Sequence, residues 1–409
     1  MFEKSSVAAV SLDRRKVLGG MLLAPFAGAA TAAGWTPGFG PHGVGSSCML
    51  AKAPGDRPME EYLIGSPQAR GAVYLDQVIS DRKATLVIDV KVPNDWPGAG
   101  GLAGRSLPVV LSVLYPTPAS NPRPEYTFPE EHGWYRLPHM QQPGEAPIFA
   151  DERARYPLIV HSGGSNTHGL WHLLKLGHLA SQGYVVVDIY HGDGRFRDLR
   201  GGEMFALRSL AVRAALDHVL AHPHYADHID AQRIGATGSS AGGLAVLTLM
   251  GGLDPARPGR SLADERIKAG FGTVPFAGFS QATAQRMGVP PGIRGGWPFW
   301  NFGDDFAGLS AVKRPWFAAC GEQDGNVPAA DVLAAARAMG GPAWVVELKG
   351  QTHNLDEAAN AEARGWEAAF FDAHLRGDAA ALALLRPGAD PAGPGALGRM
   401  LLNPLGKPS

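Results

Sequence analysis

Gly238-Ser239-Ser240-Ala241-Gly242 is a G-x-S-x-G pattern set between a strand-like run, Arg233-Ile234-Gly235-Ala236-Thr237, and an apolar helix-like run that begins at Ala241. A serine at such a sharp strand-to-helix turn has its hydroxyl exposed for nucleophilic attack. Glycine is required two positions either side, because a β-carbon there would collide with neighbouring backbone. The helix that follows points its unpaired N–H groups at the place where negative charge develops. A serine hydroxyl is a weak nucleophile alone; it needs a base, and the base needs an orienting carboxylate. Both residue types follow in order. Asp324 lies in GEQDGNVP, just past the apolar run Pro315-Trp316-Phe317-Ala318-Ala319-Cys320, and His353 lies in QTHNLD, just past AWVVELKG. Glu322 is a second acid with shorter reach, and Asp304 and Asp305 lie ahead of the strand.

Attack on a carbonyl also needs two N–H donors for the developing oxyanion. The residue after the nucleophile, Ala241, supplies one. The other is expected from His161-Ser162-Gly163-Gly164-Ser165, where glycines let the backbone turn close to a substrate; Ser165 is the candidate and Gly164 the alternative. Trp297, Phe299, Trp300 and Phe302 lie between the strands ahead of Cys320, and Trp297 and Trp300 are candidate substrate-binding residues. The competing reading makes these aromatics part of the core.

The remaining histidines point elsewhere. His218 and His222 have the i,i+4 spacing of a metal pair, but no acidic partner of the HExxH type accompanies them. Imidazoles near a helix C-terminus and a solvated loop account for them more simply. His168, His172 and His178 share one amphipathic helix and are read the same way, so no metal site is assigned. Cys48 and Cys320 form no CxxC pair, and Cys320 ends a buried run, so two isolated thiols are expected instead of a bridge.

The elements that must position these groups follow from the hydrophobic rhythm. Val73 to Val78, Thr85 to Val92 and Pro108 to Tyr115 read as strands. Residues 116–154 are rich in proline with scattered aromatics and read as a long insertion. From Tyr156 onward strand and helix signals alternate: PLIVHS, HGLWHLLKLGHLASQG, YVVVDIY, EMFALRSLAVRAALDHVLAH, RIGATG, SAGGLAVLTLMGG, RIKAGFGTV, PWFAAC, AADVLAAARAMG, AWVVELKG and a closing helix to Arg376. That alternation predicts an α/β fold, a central mostly parallel sheet with helices on both faces, and sites at the C-terminal ends of its strands. Residues 33–70 read as a Gly/Pro-rich arm, 71–378 as one domain, and 379–409 as a tail with little to anchor it.

The N-terminus, SLDRRKVLGGMLLAPFAGAATAAG, has a basic stretch, a short apolar stretch and small residues, the layout of an export signal over residues 1–32. Its apolar run is shorter than the ~20 residues of a membrane helix and is interrupted by Gly19, Gly20 and Pro25, so stable membrane insertion is not expected. Arg14-Arg15 resembles a twin-arginine signal, which implies a periplasmic or secreted product. Net charge is −1, and the one basic run longer than a pair, Arg14-Arg15-Lys16, lies in the signal-like segment, so nothing supplies the phosphate neutralisation of a nucleic-acid partner and none is expected. With 45% hydrophobic and 18% charged residues the chain has the means to bury a core.

Taken together, YPLIVHSGG, LASQGYVVVDIYHGDG, RIGATGSSAGG, ACGEQDGNVP and KGQTH resemble the α/β-hydrolase superfamily. The similarity is to the dienelactone-hydrolase-like branch, with platelet-activating-factor acetylhydrolase-like proteins and bacterial polyester hydrolases, and it covers about residues 84–378. The nucleophile position holds Ser240 where dienelactone hydrolase proper has cysteine, and the position where animal acetylhydrolases carry their acid is Thr273-Val274-Pro275-Phe276. The resemblance implies an α/β-hydrolase fold and hydrolysis of a small-molecule or polymeric ester by a Ser240–His353–Asp324 triad, with no cofactor. A peptidase, an acyltransferase or a catalytically silent binding protein on the same fold are the alternatives.

Overall fold

A computed structural model describes residues 39–49, 86–96, 100–130, 133–165, 167, 172–191, 202–286, 300–303, 305–386 and 396–405. The expected signal, most of the arm, the strand at Val73 to Val78, Asp304 and Trp297 lie outside the described residues. Those described belong to one compact unit, Trp35–Ser409.

β-Branched and aromatic runs form the strands. In chain order they are β1 (Gly43–Ser46), β2 (Leu86–Lys91), β3 (Ser106–Thr117), β6 (Tyr156–Ser162), β7 (Val185–Tyr190), β8 (Ile229–Ser239), β9 (Ile267–Thr273), β10 (Trp316–Gly321), β11 (Ala343–Leu348) and β12 (Gly398–Leu402), with the hairpin β4 (Tyr126–Glu130) and β5 (Gly133–Leu137) standing apart. The main sheet runs β1-β3-β7-β6-β8-β9-β10-β11-β12, with β2 also on β3. Its centre, β7 through β11, is parallel. β3 and β12 flank that block antiparallel. β6, β7, β10 and β11 are buried along their whole length. Strands covered on both faces need continuous apolar runs, and these have them.

The helices are α1 (Leu173–Ser181), α2 (Gly202–Ala221), α3 (Ala241–Leu249), α4 (Gln281–Arg286), α5 (Ala329–Ala338), α6 (Glu357–Phe371) and α7 (Ala379–Leu384). Alternate side chains of each strand feed two separate cores. One contains Val160, Ala236, Ala318 and Val345 with side chains of α2, α3 and α5. The other contains Ile159, Phe271, Phe317 and Val346 with side chains of α1 and α6. In the second core Phe317 stacks on Phe271 at 5.2 Å and on Trp366 at 5.5 Å, which locks α6 against β9 and β10.

The chain leaves β6 through α1 to β7 on one side, then returns through α2 to β8 on the other. β6 and β8 therefore meet at a topological switch point, the place outside whose C-terminal strand ends open α/β sheets bind ligands. Ser162-Gly163-Gly164 and Ser239-Ser240 are the residues found there.

Two segments differ from their sequence reading. Part of the Gly/Pro-rich arm forms β1, whose Gly43–Ser46 pairs with the C-terminal half of β3 beside the longer β2 pairing. The tail is anchored too. Asp378 caps α7 by accepting the N–H groups of Ala380 and Ala381, and β12 extends the sheet on β11. The deciding group is buried Glu362 on α6, whose two carboxylate oxygens accept the N–H groups of Leu397 at 2.7 Å and Gly398 at 2.8 Å. Nothing local in an Ala/Pro/Gly-rich segment announces a partner some thirty-five residues upstream. The 116–154 insertion holds the β4–β5 hairpin, and its end returns to the body where Phe149 packs on Tyr115 at 5.1 Å. Among the described residues no helix is long and apolar enough to cross a membrane.

Glu362→Ala should release β12. Amide exchange across residues 398–402 should rise by orders of magnitude, and stability should fall by about 1.5–3 kcal/mol for the lost charged hydrogen bonds, read by denaturant unfolding.

Candidate active site

β8 enters α3 through one residue, Ser240, held at φ 48° and ψ −117°. A side chain at positive φ is costly and persists only when its surroundings over-determine it. Here they do: Ser240 donates its N–H to the Thr273 carbonyl, while its own carbonyl accepts from Phe276 at 2.8 Å and Gly243 at 2.9 Å. The flanking glycines are explained by contact. A β-carbon on Gly238 would lie 2.4 Å from the carbonyl of Gly242, and one on Gly242 would lie 1.8 Å from the carbonyl oxygen of Ser162. Val274, at the end of β9, is also at positive φ (42°), where β-branched residues are rare. Its N–H donates to Ala319, and this turn places the Phe276 N–H on Ser240.

His353 follows β11 and Asp324 follows β10, and their loops are stitched together. Gln323 donates its N–H to the Gln351 carbonyl at 2.8 Å, and Gly350 donates to the carboxylate of Glu322. Glu322 thus ties the loops, and the carboxylate that faces His353 is that of Asp324. Asp324 is buried; one of its oxygens accepts the N–H groups of Asn326 and Val327 at 2.9 and 2.8 Å, and the other lies 2.7 Å from His353 Nδ1. Since a carboxylate only accepts, Nδ1 carries the proton and Nε2 presents a lone pair. That lone pair lies 3.0 Å from Ser240 Oγ. Asp356 completes the scaffold: it caps α6 through Ala359 N–H and binds the Gln351 amide, and these donors hold its carboxyl below the usual carboxylate range.

Ala241 opens α3, so its N–H has no helical carbonyl to meet. Gly164 lies directly opposite, close enough that a β-carbon on it would be 3.3 Å from Ser240 Cβ. Ser165 is the exposed residue that follows. The structure brings Ser240, His353, Asp324, Ala241 and the Gly164-Ser165 turn together. It separates Trp300 from that group: this indole is 4% exposed within the core and donates its N–H to the Gly252 carbonyl at 2.9 Å, so it presents no open wall to a ligand. Asp305 is occupied in capping Ala307.

Several groups around the site belong to none of the motifs picked out in the sequence. Below Ser240, on the α1 and α6 face, Asp188, His161 and Thr237 stand side by side on β7, β6 and β8. His161 Nδ1 is 2.5 Å from Asp188, and burial, with Lys175 and Arg208 nearby, pushes its pKa well below the ordinary value. It is therefore a neutral donor to the carboxylate. Lys175 of α1 reaches Glu367 of α6 at 3.3 Å and the hydroxyls of Thr237 and Thr273, and Thr237 also bonds Glu367. Burial raises the pKa of Glu367, against the opposing pull of Lys175. This network fastens both helices to the strand ends that carry Ser240 and Thr273. The signal for it was an acid or base inside an otherwise apolar run, such as Asp188 in VVVDIY.

His218 and His222 have ring centroids 5.3 Å apart, and among the described residues no group of three or more His, Cys, Asp or Glu side chains can hold a metal. Cys48 and Cys320 are both buried and neither is in a disulfide, and burial pushes the Cys320 thiol up to about 12. No protein-family model matches this chain, and no curated protein is similar to it in sequence.

Gly242→Ala should destabilise the protein by about 1–3 kcal/mol, because a backbone carbonyl must move to admit the methyl. Gly325→Ala, in the acid loop with open space around it, should stay within about 0.5 kcal/mol of the parent in the same unfolding assay.

Proposed function

We propose that this protein is a serine hydrolase that cleaves carboxylic esters on an α/β-hydrolase fold, in the dienelactone-hydrolase-like branch. The observation that carries the reading is the continuous chain Ser240 Oγ, 3.0 Å to His353 Nε2, then His353 Nδ1, 2.7 Å to Asp324 Oδ2. The strand arrangement supports it: a parallel block flanked by an antiparallel strand, with nucleophile, acid and base on the ends of β8, β10 and β11. The chain order Ser, Asp, His is the one this superfamily uses.

In the proposed cycle His353 Nε2 removes the Ser240 proton as Oγ attacks the ester carbonyl. The N–H groups of Ala241 and the Gly164-Ser165 turn hold the oxyanion, and buried Asp324 stabilises the imidazolium. The imidazolium then protonates the departing alcohol. Water, activated by the same His353, attacks the acyl-enzyme, and Ser240 leaves with the proton. The residues in contact need no metal or organic cofactor for any of these steps. The substrate class is an ester, small or polymeric, and the N-terminal Arg14-Arg15 segment carries the protein to the periplasm or beyond.

Ser240→Ala should lower kcat on nitrophenyl esters by ~10⁴–10⁶-fold and abolish fluorophosphonate labelling, and Asp324→Asn should cost ~10⁴-fold. Ester turnover that survives Ser240→Ala, or cleavage of peptide anilides in preference to esters, would reject the reading. Replacing Arg14 and Arg15 together by lysine should leave the full-length precursor in the cytoplasm on cell fractionation.

A further inference from the structure

Arg208 lies on α2 and its guanidinium is buried, with 1% of the residue exposed. One terminal nitrogen donates to the Gly163 carbonyl at 2.7 Å and the other to the Gly164 carbonyl at 3.0 Å. The fork thus grips two consecutive peptides from one side. In a trans peptide the C=O and N–H point in opposite directions, and no cis bond occurs among the described residues. The N–H groups of those same two peptides belong to Gly164 and Ser165, and both are turned away from the guanidinium. Neither donates to another protein group among the described residues. Two successive N–H groups facing the same way form a small concavity that favours an anion. Gly164, which borders Ser240, places that concavity beside the nucleophile.

We propose that Arg208 is the positioning residue of the oxyanion hole: by holding the Gly163 and Gly164 carbonyls it aims the Gly164 and Ser165 N–H groups at the carbonyl oxygen of the substrate. The inference rests on the ester-hydrolase reading above and adds to it a group that never touches substrate. Arginine suits the task because a planar fork spans two carbonyls, whereas a lysine ammonium is a point donor. The cation also polarises both peptides, which makes their N–H groups better donors. Thr167 supports the same turn, its hydroxyl donating to the Gly164 carbonyl at 2.9 Å. Burying a guanidinium is costly unless its donors are satisfied, so the loop and the arginine hold each other in place.

The test compares wild type with Arg208→Lys and Arg208→Gln, using a soluble nitrophenyl ester and an arylboronic acid that becomes a tetrahedral anion on Ser240. The glutamine variant should lose ~10²–10³-fold in kcat with KM within about threefold, the loss seen when an oxyanion donor is removed. Arg208→Lys should fall between it and wild type. Boronate affinity should drop in parallel with kcat/KM, whereas a purely structural role would lower the melting temperature and leave the affinity of the folded fraction unchanged. If the glutamine variant does not fold, the lysine variant carries the comparison. Variants that match wild type within twofold in kcat, or lose kcat with boronate affinity intact, overturn the clamp alone. Wild type that neither turns over esters nor is labelled at Ser240 overturns the hydrolase reading and the clamp with it.

Discussion

The first turn of α3 passes the end of β6 with no room to spare: Gly242 faces the Ser162 carbonyl where a β-carbon would sit at 1.8 Å. This contact sets the backbone geometry around Ser240. It forces the chain to turn at Ser240 in a strained conformation, and the strain is sustained by the N–H of Phe276, the N–H of Gly243 and the Thr273 carbonyl. The same contact brings the Gly163-Gly164 turn up against Ser240. Ser240 and that turn are therefore two sides of one close backbone approach.

Around that contact the charged side chains Lys175, Glu367 and Arg208 each have a partner. On one face Lys175 and Glu367 meet between α1 and α6 and bind the threonines at the ends of β8 and β9. On the other, Arg208 descends from α2 onto the Gly163-Gly164 turn. Buried charges are expensive unless paired or hydrogen-bonded, and a site built over such groups is rigid because any displacement leaves a donor or acceptor unmet. The loops that carry Asp324 and His353 are tied to each other through Gln323, Gln351, Gly350 and Glu322, so their spacing does not depend on the Asp324–His353 contact alone.

The edges of the fold follow a different logic. The arm and the tail gain their structure from pairing with β3 and β11, and Glu362 supplies the tail with a hydrogen-bonding anchor that its own composition lacks. Trp300 illustrates the complementary case. An aromatic close in sequence to the site belongs to the interior, because its indole N–H finds the Gly252 carbonyl there.

The alternation of buried strands and helices, and the G-x-S-x-G, GEQDG and QTH segments, were legible in the chain because each depends on local periodicity or on steric limits acting over a few residues. That was enough to single out Ser240, Asp324 and His353 as candidates, which the fold brings into contact, and to require glycine at 238 and 242. Only the tertiary structure decided that Glu322 ties loops while Asp324 faces the imidazole, that Arg208 and Lys175 reach the site, and that Trp300 does not line it. Those outcomes turn on contacts between segments distant in sequence, where burial and hydrogen-bond satisfaction, and not local pattern, choose the partner.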